Sequence, residues 1–210
     1  SQIQILEALL RLRQACCHPK LLKLHEKKSF ANLPKSLQNI KASVKFDETL
    51  KLIKTAIAGN HKVLLFSQFT SMLAIFAEEL QKREIRFLQL TGDTKNREPI
   101  IKQFQTDASY PIFLLSLKAG GIGLNLTAAD YVIHYDPWWN PAVEQQATDR
   151  AHRIGQDKVV SVYKMLVKNS IEEKIQMLQE KKKGLIEDII GGHAKSNKLT
   201  REDLLFLFER

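Results

Sequence analysis

Cysteine is nearly absent: 210 residues hold two, and they are neighbours, Cys16 and Cys17. No disulfide framework can be built from them, so a reducing compartment is expected. No second cysteine pair exists to close a tetrahedral metal site around Cys16, Cys17 and His18, and that run is read as structural. No metal site is expected. No apolar run approaches the length of a membrane span, and no cleavable signal segment opens the chain. None of the nine glycines is followed by lysine. That excludes a P-loop, whose lysine must reach the β and γ phosphates. The G-x-G-x-x-G spacing of a dinucleotide-binding turn is missing too. There is no internal repeat and no low-complexity tract. The chain opens directly in IQILEALLRL without an initiator methionine, and it is expected to be a piece of a longer polypeptide.

What is present suits a globular protein with a real core: 44% of residues are hydrophobic and 26% charged. Lysine and arginine exceed aspartate and glutamate, 32 against 23, for a net charge of +9. Two readings of this stand, a solvated basic surface or a polyanionic partner, most often nucleic acid.

Apolar positions recur at helical spacing over residues 3 to 13, and the pair His18-Pro19 predicts a stop. Residues 25 to 45 are lysine-rich and polar and read as a surface loop. A helix is predicted from Asp47 to Ala58, closed by Gly59-Asn60. Then the rhythm changes. KVLLF (62–66), RFLQL (86–90), PIFLL (111–115), YVIHY (131–135) and VVSVYKML (159–166) are short apolar runs. Helical patterns at 70–83 and 96–105 lie between them. Continuous apolar strands alternating with helices predict a buried parallel sheet with helices on both faces, an α/β fold. Ligands of such sheets collect beyond the carboxyl ends of the strands. A long amphipathic helix is predicted over 170–190, ended by Gly191-Gly192, and a last one over 200–208.

Two segments carry candidate chemistry. SLKAGGIGLNLT (116–127) places three glycines in four positions after a strand. Such a loop lets backbone N–H groups approach a phosphate, or it is only a tight turn; Ser116 and Lys118 beside it favour phosphate. DPWWNPAVEQQATDRAHRIGQ (136–156) supplies an N-cap in Asn140 and a first-turn proline in Pro141. A helix is predicted to run to Arg153, projecting Gln146, Arg150 and Arg153 on one face. Asp149 or Glu144 could pair with one arginine but not comfortably with two. A fixed guanidinium suits a γ-phosphate, because its planar fork binds bidentately and stays charged. Trp138 and Trp139 are adjacent, and consecutive side chains are expected to diverge, one packed and one projecting.

Residues 116–156 as a block resemble the late motifs of SWI/SNF-family ATPases, DNA translocases of helicase superfamily two. LLRLRQACCHP (9–19), KVLLFSQFT (62–70), LTGDT (90–94) and IEEKIQMLQEKK (171–182) extend the resemblance across residues 5 to 190, and the wording is closest to bacterial members. The resemblance implies a RecA-like second lobe over residues 46–168. A lead-in helix and polar loop (1–45) would precede it, and a brace helix with a C-terminal helix (169–210) would follow. ATP and Mg²⁺ would be bound mainly by a first lobe that carries the P-loop and the acidic metal motif; the only Asp-Glu pair here, Asp47-Glu48, follows no apolar strand. Arg150 and Arg153 would be arginine fingers, with Gln146 in the same motif and Gly121 and Gly123 on the nucleotide side. Ser67, Gln68, Ser116, Lys118 and Thr127 would contact DNA phosphates. Trp139 and Asn140 would lie at the duplex, with Trp138 packed. Leu117 stands where many relatives have threonine, so a hydroxyl contact is not available there. The implied partners are double-stranded DNA and the first lobe of the same polypeptide, with no membrane and a monomeric fragment. The compartment would be the bacterial cytoplasm at the nucleoid, or the nucleus of a eukaryote. Alternatives are a non-catalytic nucleic-acid or protein binding module, or an RNA helicase lobe.

Overall fold

The five apolar runs are the strands of one sheet. They are β1 (Val63–Ser67), β2 (Phe87–Leu90), β3 (Ile112–Ser116), β4 (Tyr131–His134) and β5 (Ser161–Lys164). All neighbours pair in parallel, in the order β2-β3-β1-β4-β5. The computed structural model describes residues 2–25, 43–120, 124–153, 156–187 and 200–208. β1 and β3 are buried at every position. That is why they read as unbroken apolar runs: a central parallel strand is covered on both faces. β5, at one edge, alternates half-buried and exposed positions.

Period-two alternation sorts the strand side chains between two cores. Val63, Leu65, Ile112, Leu114 and Ile133 face α3 (Val44–Ala58) and α4 (Thr70–Lys82). Leu64, Phe66, Phe113, Leu115 and Val132 face α5 (Glu98–Thr106), α6 (Leu117–Gly120) and α7 (Pro141–Thr148). Helices therefore cover both faces. A third cluster joins Leu9 of α1 (Gln2–Cys17) to Ile171, Ile175 and Leu178 of α8 (Ile171–Glu187) and to Leu204 and Leu207 of α9 (Arg201–Phe208).

α1 ends at Cys17, at the predicted stop, but Pro19 at once opens a further helix, α2 (Pro19–His25). Proline suits a first helical position, where its missing N–H has no partner to lose. α3 starts at Val44, capped by Ser43, whose Oγ accepts from Phe46 N–H at 3.3 Å. Most of the polar segment expected as a loop, residues 26–42, lies outside the described residues, as do 188–190 and Gly191-Gly192.

α8 is fastened to the sheet layer by a buried ion pair. Lys45 Nζ lies 2.6 Å from Glu172 Oε1, with the two side chains 3% and 1% exposed. Glu172 Oε2 accepts from Val167 N–H at 2.9 Å, and Lys45 Nζ sits 4.7 Å from the Tyr135 ring centroid. Burial pushes the Glu172 carboxyl up and the lysine opposes that shift. A buried pair gains little over apolar packing, but breaking one leaves an uncompensated charge. Lys45→Met is therefore expected to cost about 3–5 kcal/mol of stability. The double variant Lys45→Met/Glu172→Leu should cost clearly less. Urea unfolding of the three proteins checks both statements, and equal losses for single and double variants would count against the buried pair.

Candidate functional site

The carboxyl ends of β1, β3 and β4 lie side by side, with Ser67 in register with Ser116. Asp136, two residues past β4, is buried there. A buried carboxylate must fill its lone pairs. Oδ1 accepts from Ser67 Oγ at 2.5 Å, and Oδ2 accepts from the Gln68 backbone N–H at 3.1 Å and from Gln68 Nε2 at 2.5 Å. Ser67 is itself fully buried, and its Oγ accepts from Phe69 N–H. Ser67 and Gln68, expected at a DNA phosphate, both serve Asp136 here, Ser67 from full burial and Gln68 half-buried. Ser116 was expected at the same phosphates. It is buried, and its Oγ caps α6 by accepting from Ala119 N–H at 3.2 Å. Lys118 on α6 is exposed. Thr127 is half-buried, with Oγ1 accepting from Gln105 Nε2 at 3.2 Å. Gly121 and Gly123 lie outside the described residues.

The tryptophans do not diverge. Their rings stack with centroids 3.6 Å apart and planes 29° from parallel. Consecutive side chains alternate between opposite faces in a strand, and here the strand has ended at His134. Trp138 packs on the sheet core and Trp139 on the α1–α8–α9 cluster, so Trp139 does not project alone. Arg13 of α1 lies over both indoles, its Cζ 5.2 and 5.5 Å from their centroids. Asn140 caps α7, its Oδ1 accepting from Ala142 N–H at 3.0 Å.

α7 stops at Thr148, so the arginines stand on the turn beyond it. Gln146 is exposed on the helix, Arg150 is 4% exposed and Arg153 is exposed. The three do not share a helical face, because the helix ends between them. The turn is stitched elsewhere. The Arg150 carbonyl accepts from Leu126 N–H at 3.0 Å. Gln156 Nε2 donates to the carbonyls of Thr127, Ala129 and Ala151 at 2.9, 2.8 and 3.2 Å. These contacts set the arginine turn against the segment that follows the glycine loop. Burial lowers the Arg150 pKa, nearby Arg153 lowers it further, and Asp149 opposes them. A guanidinium remains charged regardless, so two cations are held within electrostatic reach of one another.

Glu144, expected as a surface partner of the arginines, is buried instead. Its Oε1 accepts from Trp138 N–H and from Gln179 Nε2, both at 2.7 Å. Lys164 Nζ stands 2.6 Å from Oε2 as an ion pair outside hydrogen-bond geometry. Asp149 Oδ1 accepts from Gln145 Nε2 at 2.9 Å. Asp136, Gln156, Gln179 and Arg13 are the residues to which sequence reasoning gave no role, and Glu144 was weighed only as a surface partner of the arginines. All five lie inside the segments that carry the family resemblance, which was their one signal.

Among the described residues no group of three metal-ligating side chains occurs, and Asp136 is engaged by Ser67 and Gln68. The arginines fit the phosphate end of a nucleotide; the described side chains do not fit a Mg²⁺ cradle. A cleft of about 240 Å³ between α2, α3 and α4, walled by His18, Phe46, Asp47 and Glu79 among others, shares none of the residues of this site.

The model of the helicase conserved C-terminal domain matches residues 44–155. The chain belongs to that family. Its relatives place it in the SWI/SNF branch, as a second RecA-like lobe. It is 42% identical over 208 residues to a putative ATP-dependent helicase/translocase of Bacillus subtilis, YwqA, covering 97% of this chain and 22% of that protein. It is 45% identical over 153 residues to the chromatin-remodeling ATPase INO80 of Drosophila melanogaster, covering 71% and 9%. The Sulfolobus solfataricus SWI2/SNF2 ATPase C-terminal domain superposes with a TM-score of 0.67 at 33% identity, covering 98% of this chain and 77% of that one. The ATPase core from the same organism, solved in complex with dsDNA, gives 0.70 at 37%, covering 97% and 41%. The chain spans about a fifth of the length of the curated relatives it matches.

His134, at the end of β4, anchors Thr148, the last helical residue before the arginine turn, with Nε2 and Oγ1 2.8 Å apart. The ring is buried and stacked on Phe66 at 5.5 Å. Nδ1 has no hydrogen-bond partner, which favours the neutral tautomer with the proton on Nε2. Burial lowers its pKa from the ordinary 6.5 to about 4; Glu144 opposes the shift and Lys164 adds to it. The unfolded chain binds this proton near pH 6.5 and the folded chain only near 4. The stability at stake, up to about 3 kcal/mol, is complete above pH 6.5 and fades as pH falls through that interval. Unfolding midpoints measured from pH 7 to 4 should fall, and His134→Gln, which keeps a donor but cannot titrate, should fall less. Parallel curves for the two proteins would refute the assignment.

Proposed function

We propose that this lobe contributes arginine fingers to ATP hydrolysis and grips the phosphates of duplex DNA, as half of a DNA translocase or nucleoprotein remodeller. The observation that carries the reading is the arginine turn itself. Arg150 and Arg153 are held together, at the ligand-binding edge of a parallel sheet, against the segment behind a glycine loop. Two neighbouring cations repel, and an anion between them relieves that repulsion. A surface ion pair is worth at most about 1 kcal/mol. An arginine finger is worth ~10³ to 10⁵ in rate, which corresponds to roughly 4–7 kcal/mol of barrier. The relatives' names, ATP-dependent helicase and chromatin-remodeling ATPase, support the same reading.

Gly121 and Gly123 complete the nucleotide side, and Gln146 belongs with the arginines. The P-loop, the Mg²⁺ site and the rest of the nucleotide's cradle belong to a preceding RecA-like lobe of the same polypeptide. Arg150 and Arg153 hold the two lobes closed through the γ-phosphate, and its loss releases them. The DNA face is exposed Lys118, with Thr127, Asn140 and the accessible edge of Trp139. Ser67, Gln68 and Ser116 support that face from inside through Asp136 and α6. A solved relative complexed with dsDNA and the net charge of +9 favour a duplex. Phosphate contacts make the grip independent of sequence and weaker in high salt. The fitting compartment is wherever the DNA lies, bacterial cytoplasm or eukaryotic nucleus, and the fragment alone is expected to be a monomer.

In the full-length protein, Arg153→Ala should leave DNA affinity intact and reduce DNA-stimulated hydrolysis by ~10³ or more. The 210-residue chain alone should bind duplex DNA and hydrolyse no ATP. Turnover by the isolated chain, or lost DNA binding with hydrolysis retained in Arg153→Ala, contradicts the reading.

A further inference from the structure

Pro137, Trp138 and Trp139 join β4 to α7, and side chains of α1, α7 and α8 converge on them. From α1, Arg13 donates through Nη2 to the Pro137 carbonyl at 3.2 Å and lies over both indoles. Its guanidinium is buried, its pKa is lowered by that burial with Asp136 opposing, and its Nε has no hydrogen-bond partner. From α8, Gln179 donates through Nε2 to the Trp138 carbonyl and to Glu144 Oε1. Its own Oε1 accepts from Lys164 of β5 at 3.3 Å. From α7, Glu144 accepts the Trp138 N–H at 2.7 Å. Two side chains, each 2% exposed, thus close both backbone polar groups of a single residue.

The clamp grips the front of α7. Arg150 stands two residues past its other end, at Thr148. The helix has eight residues, about 12 Å at 1.5 Å each. A short, hydrogen-bonded rod transmits tilt or rotation at one end to the other. α1 and α8 are packed together through Leu9, Ile175 and Leu178.

We propose that Arg13, Glu144 and Gln179 are positioning residues: through the Trp138–Trp139 joint, the seating of α1 and α8 sets the reach of Arg150 and Arg153. The proposal rests on the phosphoryl-transfer role given to those arginines above. It also explains the stacked indoles. They are a stiff washer between the helical layer and the sheet, filled on one side by Arg13.

The test uses the full-length protein with Gln179→Met and Arg13→Lys. The first keeps volume and removes both donated hydrogen bonds. The second keeps charge and removes the planar fork. Both should lower the DNA-stimulated kcat on the order of tenfold to a hundredfold, the cost of a shift of about 1 Å at a reacting group. The KM for ATP and the DNA affinity should stay near those of the parent, and the thermal midpoint should fall only by what the lost buried hydrogen bonds cost. Gln176→Met, on the same helix but away from the joint, should behave as the parent. A lowered midpoint with parental kcat in both variants overturns the proposal, because the clamp then only stabilises. If Arg153→Ala still hydrolyses ATP, the phosphoryl-transfer reading itself has failed. If Arg153→Ala is inactive while Gln179→Met and Arg13→Lys turn over normally, only the clamp is wrong.

Discussion

A carboxylate taken out of water must be given partners, and Glu144 is where this molecule meets that demand. Its partners come from three directions: the Trp138 backbone, Gln179 of α8 and Lys164 at the end of β5. Removing the partners would leave an isolated charge in a low-dielectric site, which costs several kcal/mol. The elements are therefore locked to one another by a single side chain. The same demand recurs at Asp136, filled by Ser67 and Gln68, and at Glu172, filled by Lys45 and Val167. Glu144 and Glu172 tie the sheet layer to α8, and Asp136 ties the end of β1 to the segment after β4.

These ties decide what faces solvent. Ser67 and Ser116 are buried and Gln68 is half-buried against Asp136, while Lys118 stays exposed and Thr127 half-buried. Because α7 ends at Thr148, the arginines are presented by a turn. Backbone and glutamine bonds to residues 126–129 hold that turn. A guanidinium on a turn braced in this way is placed by tertiary contacts and not by helical pitch.

The parallel sheet was legible because buried strands announce themselves as unbroken apolar runs, and all five stand within two residues of where periodicity put them. The caps were legible for a related reason: Asn140 and Pro141 act through their own neighbours in sequence. α2 was not, because Pro19 reads as a stop until the next residues are seen to pack. The tryptophan pair was misjudged because divergence is a rule for strands, and the turn lies outside one.

The residue types and their spacing were sufficient by themselves to establish an α/β layered fold and to single out two arginines beside a glycine loop, since these depend on local pitch and on which side chains can meet a phosphate; the SWI/SNF family came from the resemblance of whole motifs. Tertiary structure alone decided which polar groups look outward. Serine, glutamine and glutamate read alike in a sequence whether they face water or a buried charge, and only the packing of α1, α7 and α8 around Asp136 and Glu144 settles which way each one turns.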